Sequence, residues 1–157
     1  LYYMMHVLMV CTANVCRSPM AQIVATEIAR RNGLAEHFHF ESAGTHASKS
    51  RMRMDTRAVK ALERRGYPVK KLRARPIEIR DFQRFDIILA MDRTNYAELH
   101  RICPTESNYK LRMFLPESQV MVADEILDPY YGNSEGFERV LDLCEVAAIG
   151  LVNRTIR

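Results

Sequence analysis

Short apolar runs alternate with amphipathic stretches along this chain of 157 residues. The runs are either continuously apolar or alternate with polar residues, as buried strands do, and they cover residues 6–10, 37–43, 85–90 and 109–114. The amphipathic stretches have apolar residues at helical spacing, and they cover residues 18–33, 55–65, 92–101 and 136–152. Strands that alternate with helices predict a parallel sheet with helices on both faces.

The predicted fold class is therefore α/β: a single-domain three-layer α/β/α sandwich with a four-stranded parallel sheet, of the flavodoxin-like, doubly wound type. No run rich in Gly/Ser or Pro interrupts the pattern, so we expect residues 1–157 to form one domain. Ligands of such sheets bind beyond the carboxyl ends of the strands. Cys11 follows the first predicted strand at such an end, and this makes it a candidate functional residue.

Helix start signals precede three of the amphipathic stretches. Ser18 is followed by Pro19, which predicts an N-cap hydroxyl and a proline at the first helical position. Asp55 and Asp92 are predicted N-caps of the next two helices.

The charge of the chain is unevenly distributed. The formal net charge is +4, but residues 49–84 contain 13 Lys and Arg against 4 Asp and Glu. Such a concentration is typical of a solvated basic helix and loop, and equally of a surface that attracts nucleic acid or a phosphorylated partner. The sequence leaves both interpretations open.

No segment of the chain predicts export, membrane insertion or metal binding. The apolar N-terminus has neither a basic flank nor a small-residue cleavage site, and no run approaches the roughly 20 apolar residues of a membrane span. The 4 cysteines include no CxxC pair, and no two of the 5 histidines have a spacing that suits one helix face. We therefore expect a cytoplasmic protein without a disulfide scaffold, a metal or a cofactor, and Met4 or Met5 is a plausible start of the native chain.

Residues 11–18 join the first predicted strand directly to the first predicted helix. Unpaired backbone N–H groups and the dipole at a helix N-terminus favour a bound anion, and they also stabilise a cysteine thiolate. We predict that Cys11 is an ionised nucleophile at neutral pH and that Arg17 folds back to bind two phosphate oxygens. The predicted phosphate-binding residues are Cys11, Thr12, Ala13, Asn14, Val15, Cys16, Arg17 and Ser18.

The alternative for this segment is structural: Cys11 and Cys16 could be small buried apolar residues at the end of a strand. A lone cysteine favours that alternative. A Cys-x5-Arg-Ser segment between a strand and a helix favours phosphoryl transfer, which needs a nucleophile and donors around the phosphate oxygens.

The segment from Val10-Cys11 to Arg17-Ser18-Pro19 resembles the active-site signature of the low-molecular-weight protein tyrosine phosphatases of the bacterial type. The similarity covers nearly the whole chain, in order, at Ser42-Ala43-Gly44-Thr45, Asp55 with Arg57-Ala58, Ala74-Arg75, Phe85-Asp86, Ile88-Leu89-Ala90-Met91-Asp92 with Asn95, and Asp128-Pro129-Tyr130-Tyr131-Gly132. The first and last of these motifs are the most specific. The resemblance implies a hydrolase that removes phosphate from phosphotyrosine in proteins through a phosphocysteine intermediate on Cys11.

The resemblance also implies that Asp128 protonates the leaving phenolate and then acts as the base toward water. Taken alone, an Asp-Pro pair is more often an ordinary turn, and only its combination with the Cys-x5-Arg loop favours catalysis. Tyr130 and Tyr131 would line the cleft for the substrate ring, or alternatively cover the core.

Several residues are implied to support the loop. Asn14, Ser18 and Ser42 would form a hydrogen-bond network, with Ser18 easing the departure of the cysteine in the second step. Asparagine also tolerates the left-handed backbone that a tight anion-binding loop requires. From its place at the carboxyl edge of the sheet, Asp92 could orient Arg17 or the loop, and the alternative for it is the helix-capping role alone.

The second cysteine of the loop, Cys16, resembles a residue that forms a disulfide with the nucleophile and protects it from over-oxidation. We therefore hypothesise redox regulation through a reversible bond between Cys11 and Cys16.

Three positions depart from the usual pattern of the family. Ala13 stands where glycine is common, which is harmless if its φ is negative. Ser48 stands in the place of an aromatic residue that walls the opposite side of the substrate cleft, and the surrounding residues 46–53 are basic, so we hypothesise a preference for acidic phosphopeptides. Leu72 stands where a histidine often joins the serine network.

Two rival functions compete with the phosphatase. A thioredoxin-coupled arsenate reductase uses a similar loop but needs two further cysteines close together, whereas Cys103 and Cys144 lie far apart in sequence. A non-catalytic module that binds phosphate or nucleic acid would use the basic stretch, which lacks interleaved aromatics apart from Tyr67, Phe82 and Phe85.

The expected partners are phosphotyrosine proteins, with a bacterial tyrosine autokinase among them. We expect no binding of nucleic acid, and we expect the protein to be a monomer or a weak dimer.

Overall fold

The computed structural model describes residues 3–120 and 123–155. Its strands are β1 (Met5–Cys11), β2 (Phe38–Gly44), β3 (Ile87–Ala90) and β4 (Leu111–Met113). Its α-helices are α1 (Arg17–Arg31), α2 (Thr56–Arg64), α3 (Asp81–Arg84), α4 (Arg93–Ile102) and α5 (Ser134–Thr155). Two short 3-10 helices cover Thr105–Lys110 and Leu115–Ser118.

The four strands form one parallel sheet in the order β2-β1-β3-β4. Along β1, Val7 and Met9 face a core cluster that includes residues of α1 and α5. Leu8 and Val10 face a second cluster, which includes residues of α3 and α4. Because successive side chains of a strand point to opposite faces, helices cover both sides of the sheet. The predicted four-stranded parallel sheet between two helical layers is confirmed.

Capping explains where two of the helices begin. The Asp55 side chain accepts a hydrogen bond from the Arg57 amide at the start of α2. At the start of α4, the Asp92 side chain accepts from the Asn95 amide, and the Asn95 side chain accepts from the Asp92 amide in return. Both predicted aspartate caps are confirmed, and each satisfies backbone groups that the first helical turn leaves unpaired.

The start of α1 differs from the prediction. The helix begins at Arg17, and the N-cap residue is Cys16, which makes no side-chain capping bond. Ser18 already lies in the first turn and its hydroxyl contacts the Cys11 sulfur. The predicted N-cap hydroxyl of Ser18 is therefore wrong, and Pro19 is not the first helical residue.

The last predicted strand is shorter than expected. Residues 109 and 110 belong to a 3-10 helix, and β4 contains three residues. Among the strands of the described ranges, this edge strand pairs with β3, and their ladder runs from Ile88 paired with Leu111 to Ala90 paired with Met113. None of the helices in the described ranges combines the length and the apolar composition that crossing a membrane requires.

Gly150 lets α5 pack directly against the backbone of the 3-10 helix Leu115–Ser118. A Cβ atom at this position would lie 2.0 Å from the carbonyl oxygen of Glu117 and 2.9 Å from the Cα of Ser118. Glycine inside a helix costs about 1 kcal/mol relative to alanine. Glycine at this position therefore allows the close packing of α5, although it lowers the intrinsic stability of the helix.

We expect Gly150→Ala to lower the free energy of unfolding by about 2 kcal/mol, because a clash with backbone atoms outweighs the gain in helix propensity. Gly136→Ala in the same helix is the control, since its Cβ would meet the Pro129 Cβ at an ordinary 3.4 Å. Chemical denaturation of both variants measures the difference. A Gly150→Ala variant as stable as the control would contradict the close approach.

Candidate active site

The loop between β1 and α1 lies where the order of the sheet reverses. From β1 the chain crosses to β2 on one side and later to β3 on the other, so the carboxyl end of β1 opens onto a crevice. A cavity of about 290 Å³ lies there. It is lined by loop residues Cys11, Thr12, Ala13, Val15, Cys16 and Arg17 and, from the segment before α5, by Asp128, Tyr130 and Tyr131.

Asn14 makes the tight turn of this loop possible. Its φ is +59°, in the left-handed region, whereas Ala13 is not among the residues with positive φ. The departure at Ala13 is therefore free of backbone strain. The buried Asn14 side chain is fixed at both ends, because its Nδ2 donates to Ser18 Oγ at 2.7 Å and its Oδ1 accepts from the Arg75 amide at 2.9 Å.

Ser18 is oriented toward the sulfur of Cys11. Its Oγ lies 2.9 Å from Cys11 Sγ and 3.4 Å from the Ala43 carbonyl oxygen. Because Asn14 already donates to this oxygen, the single hydroxyl proton is free for the shorter contact with sulfur. A donor so placed stabilises a thiolate.

Ser42 does not take part in these contacts. Its hydroxyl donates to Gln22 Oε1 at 2.7 Å, one helical turn beyond Ser18 on α1. The implied network of Asn14, Ser18 and Ser42 is therefore corrected: the carbonyl of Ala43, not the Ser42 hydroxyl, approaches Ser18. Leu72 packs against the apolar core and contributes nothing polar here.

Arg17 is almost completely buried, with 2% of its side chain exposed. Its Nη1 donates to Asp92 Oδ2 at 2.6 Å and to the Ile126 carbonyl at 3.0 Å. Its Nη2 lies 3.4 Å from Thr12 Oγ1 and 3.7 Å from Asp128 Oδ2. Asp92 thus caps α4 and also holds Arg17, so the two functions weighed for it coexist.

Two contacts of Arg17, with Thr12 Oγ1 and with the Ile126 carbonyl, were not predicted from the sequence. Thr12 Oγ1 also accepts from Asn95 Nδ2 at 3.0 Å, which connects the loop to the first turn of α4. The contribution of Ile126 is a backbone carbonyl, and a backbone group leaves no signal in the sequence. Asn95 belongs to the motif that resembles the family, three residues after Asp92. That spacing was the one sequence signal for a role of Asn95 near the loop.

The segment after Ile126 brings Asp128 to the cavity. The Asp128 side chain is 49% exposed, and its Oδ1 accepts from the Tyr130 amide at 3.0 Å in a turn stiffened by Pro129. The rings of Tyr130 and Tyr131 meet edge to face with centroids 5.0 Å apart. Tyr131 is 96% exposed, so covering the core is not its role.

Arg57 connects this segment to α2, and its role was not predicted. Its Nε and Nη2 donate to the two oxygens of Asp55 at 3.0 and 2.8 Å, which holds the pKa of Asp55 below its usual value. Its guanidinium lies over the rings of Tyr130 and Phe137, at 5.4 and 4.6 Å from their centroids. The Asp55 amide in turn donates to the Val15 carbonyl, so one ion pair bridges the loop between β1 and α1 and the segment of Asp128.

Two other predicted residues differ in environment. Cys16 is buried, and burial, with the nearby Asp55 carboxylate, raises its pKa to about 12. It is therefore a protonated thiol at neutral pH. Ser48 is exposed and forms a hydrogen bond with Ser50. It is not among the described residues that line the cavity, so it does not form a wall of this cavity.

A buried cysteine at the end of a parallel strand, a loop that leads into a helix N-terminus and an arginine folded over the same cavity are the features of a cysteine-dependent phosphatase site. Comparisons with known proteins agree with this class. The family model described as low molecular weight phosphotyrosine protein phosphatase matches residues 6–157.

Individual relatives cover nearly as much of the chain. The low molecular weight phosphotyrosine protein phosphatase of Schizosaccharomyces pombe is 39% identical over 132 residues, which are 83% of this chain and 84% of that protein. A crystal structure of a protein tyrosine phosphatase from Entamoeba histolytica superimposes with a TM-score of 0.92 at 36% identity, over 97% of each chain. For a low molecular weight phosphotyrosine phosphatase from Vibrio cholerae the TM-score is 0.90 at 38% identity, over 98% of this chain and 97% of that one. The chain belongs to the low molecular weight phosphotyrosine protein phosphatase family.

Arg57→Ala should loosen the segment that carries Asp128. Without the stacked guanidinium, we expect the hydrogen-bonded amides of Tyr130 and Gly132 to exchange about tenfold faster in native-state hydrogen exchange. Arg64→Ala is the control, because Arg64 lies on the same helix and pairs with Glu138 instead. Equal protection in Arg57→Ala and wild type would show that the ion pair does not hold this segment.

Proposed function

We propose that the protein hydrolyses phosphotyrosine in proteins through a phosphocysteine intermediate. The observation that carries the proposal is the convergence of Cys11, Arg17 and Asp128 on one cavity, although Asp128 lies more than a hundred residues further along the chain. Membership of the family supports the reaction. The roles of the individual residues follow from their contacts.

In the first step, the Cys11 thiolate attacks phosphorus as the bond to the tyrosyl oxygen breaks. Asp128, in its protonated form, gives its proton to the departing phenolate. The Ser18 hydroxyl at 2.9 Å from the sulfur favours the thiolate before the attack. Arg17 and the amides of residues 12–17 neutralise the charge on the phosphate oxygens, and the ion pair with Asp92 holds the guanidinium ready for this task.

In the second step, a water molecule attacks the phosphocysteine. The Asp128 carboxylate left by the first step takes a proton from the water, the bond between phosphorus and sulfur breaks, and Cys11 leaves as a thiolate. Phosphate is released and Asp128 is again protonated. The Ser18 hydroxyl, fixed by Asn14, assists here because it stabilises the leaving sulfur.

The substrate ring would bind beside Tyr130 and Tyr131. Tyr130 is half exposed at the mouth of the cavity and is held by the Arg57 guanidinium, so one aromatic face is presented in a fixed position. Aromatic pairs of this kind favour a planar phenyl phosphate over an aliphatic one. Action in the cytoplasm, on phosphoproteins such as a tyrosine autokinase, and as a monomer or weak dimer, stays a prediction from the sequence.

The positions of the remaining cysteines argue against a disulfide relay of the arsenate reductase type. Cys144 is buried in the cluster between the sheet and α5, and burial raises its pKa. Cys103 packs against the cluster on the opposite face of the sheet. The sheet therefore separates two thiols that a relay would have to bring together.

Hydrolysis of p-nitrophenyl phosphate tests the proposal. Cys11→Ser should abolish turnover, because no phosphocysteine can form. Asp128→Ala should lower kcat by about a hundredfold, the usual contribution of a general acid. Cys103→Ser is the matched control, since it makes the same substitution away from the cavity, and it should be fully active.

Retention of activity in Cys11→Ser would disprove the intermediate. Asp128→Ala with wild-type kcat would remove Asp128 from the mechanism without affecting the nucleophile. Rapid quenching of wild type with a phosphotyrosine peptide should additionally trap a phosphate bound through sulfur.

We further propose that Cys16 protects the nucleophile. Peroxide oxidises the Cys11 thiolate to a sulfenic acid, the Cys16 thiol attacks that sulfur, and water leaves as a disulfide forms. Dithiothreitol then restores both thiols. Because the pKa of Cys16 is raised to about 12, its reactive thiolate is scarce at neutral pH, so disulfide formation should become faster as pH rises.

Wild type inactivated by peroxide should regain activity with dithiothreitol, whereas Cys16→Ser should lose it irreversibly as Cys11 proceeds to the sulfinic acid. Activity after reduction, measured at two pH values, distinguishes the variants. Equal recovery in both proteins, or no recovery in wild type, would refute the protective role.

A further inference from the structure

The basic excess of residues 49–84 divides into two sets of side chains. One set is neutralised by ion pairs with acidic side chains, and it contains Arg57, Arg64, Arg65, Arg75, Arg80 and Arg84. Within residues 3–120 and 123–155, the other set has no acidic partner at salt-bridge distance, and it contains Lys49, Arg51, Arg53, Lys60, Lys70, Lys71 and Arg73. The sequence alone could not show which basic residues of this stretch form ion pairs and which do not.

These uncompensated charges are concentrated in one place. A groove of about 520 Å³ is lined by five of them, namely Arg53, Lys60, Lys70, Lys71 and Arg73. We name it the basic groove. A single acidic residue, Glu63, lies among its described lining residues. Like charges held together without partners cost free energy, so their clustering favours a bound acidic group.

The basic groove has an apolar floor and defined walls. Lys60 on α2 lies on one side, and Lys70, Lys71 and Arg73 lie on the other. Met54, Val59, Val69 and Leu72 provide the apolar floor. The walls are held together because residues 53 and 73 form an antiparallel bridge and the Ala74 amide donates to the Met52 carbonyl at 2.8 Å.

The basic groove adjoins the catalytic cavity. The Asp55 amide donates to the carbonyl of Val15, which lines that cavity. Arg53, at the edge of the groove, is two residues from Asp55 and therefore at most about 7 Å from it. A polypeptide with its phosphotyrosine in the cavity can thus reach the groove within a few residues.

We infer that the basic groove binds an acidic segment of the phosphoprotein substrate, in which Asp or Glu residues alternate with apolar ones. The acidic side chains pair with Lys60, Lys71 and their neighbours, and the apolar side chains cover the floor. This inference rests on the proposed phosphatase function, because it assigns the groove to the substrate of that site. It extends the hypothesis drawn from residues 46–53 to a surface formed mainly by α2 and residues 69–73.

The shape of the groove favours a peptide over other polyanions. None of the described residues that line it is aromatic, so it lacks the stacking surface that single-stranded nucleic acids use. Its apolar residues lie at the bottom of a groove, whereas a membrane-binding surface of this charge would present its apolar side chains on the exposed face of an amphipathic helix. An extended chain with acidic and apolar side chains complements both its charge and its floor.

The test compares two phosphotyrosine peptides that differ only in their flanks, one with alternating Glu and Leu and one with alternating Gln and Ser. Lys60→Gln/Lys71→Gln should lower kcat/KM for the acidic peptide about fivefold at low salt and leave the neutral peptide unchanged, in keeping with the strength of exposed charge pairs. Salt at about 0.5 M should remove the difference, because exposed charges are then screened.

Arg80→Gln/Arg101→Gln is the matched control. It removes the same number of charges, but these arginines pair with Glu78 and Glu98 outside the groove. It should behave as wild type with both peptides. Lys60→Glu/Lys71→Glu should reverse the preference and favour a peptide with lysine in place of glutamate.

Two further measurements separate this inference from the proposed function. Hydrolysis of p-nitrophenyl phosphate, which cannot reach the groove, reports on the phosphatase alone and should be equal in all these variants. Fluorescence anisotropy with the acidic peptide reports on the groove even if turnover is absent, and binding should weaken only in the Lys60 and Lys71 variants.

Three outcomes would overturn the inference. They are equal losses in the groove and control variants, an unchanged kcat/KM for the acidic peptide, and binding of a single-stranded oligonucleotide that depends on Lys60 and Lys71 while peptide turnover does not. Failure of wild type to hydrolyse p-nitrophenyl phosphate would instead refute the proposed function, and the anisotropy comparison would still decide on the groove.

Discussion

The tight connection from β1 to α1 is the constraint on which the active site depends. The chain must leave a buried strand and enter a helix within residues 12–16, and it does so with the left-handed backbone of Asn14. The Asn14 side chain, bonded to Ser18 and to the Arg75 amide, holds that conformation. The helix N-terminus therefore faces the same space as the Cys11 sulfur, which allows one site to favour both a phosphate and a thiolate.

The rest of the site is attached to this connection by charge-assisted contacts from distant parts of the chain. Asp92 at the start of α4 fixes Arg17, and the pair of Asp55 and Arg57 connects the loop to the segment of Asp128. The loop is largely buried between the sheet and α1. The segment of Asp128 is exposed and held at fewer points, so we expect it to be the part that adjusts when substrate binds.

The basic side chains of residues 49–84 also fall into two groups, one that stabilises the fold and one that is available for binding. Arginines that pair with carboxylates stabilise the contacts of α2 with α5, as Arg65 does with Glu145. Lysines that have no acidic partner among the described residues, such as Lys60 and Lys71, line the basic groove and keep their charge available to a substrate. One stretch of sequence thus serves both folding and recognition, and its net charge alone cannot separate the two uses.

Local patterns in the sequence were enough for the alternation of strands and helices, the caps Asp55 and Asp92, and the loop of Cys11 with Arg17, because each depends on residues close together in the chain. Contacts between distant residues were beyond such patterns. The partner of Ser42 is Gln22 on α1, β4 pairs with β3 over three residues, and Arg57 stacks under the segment of Asp128. Only packing in three dimensions decides which side chains face one another, since burial and geometry select each partner from many that the sequence permits.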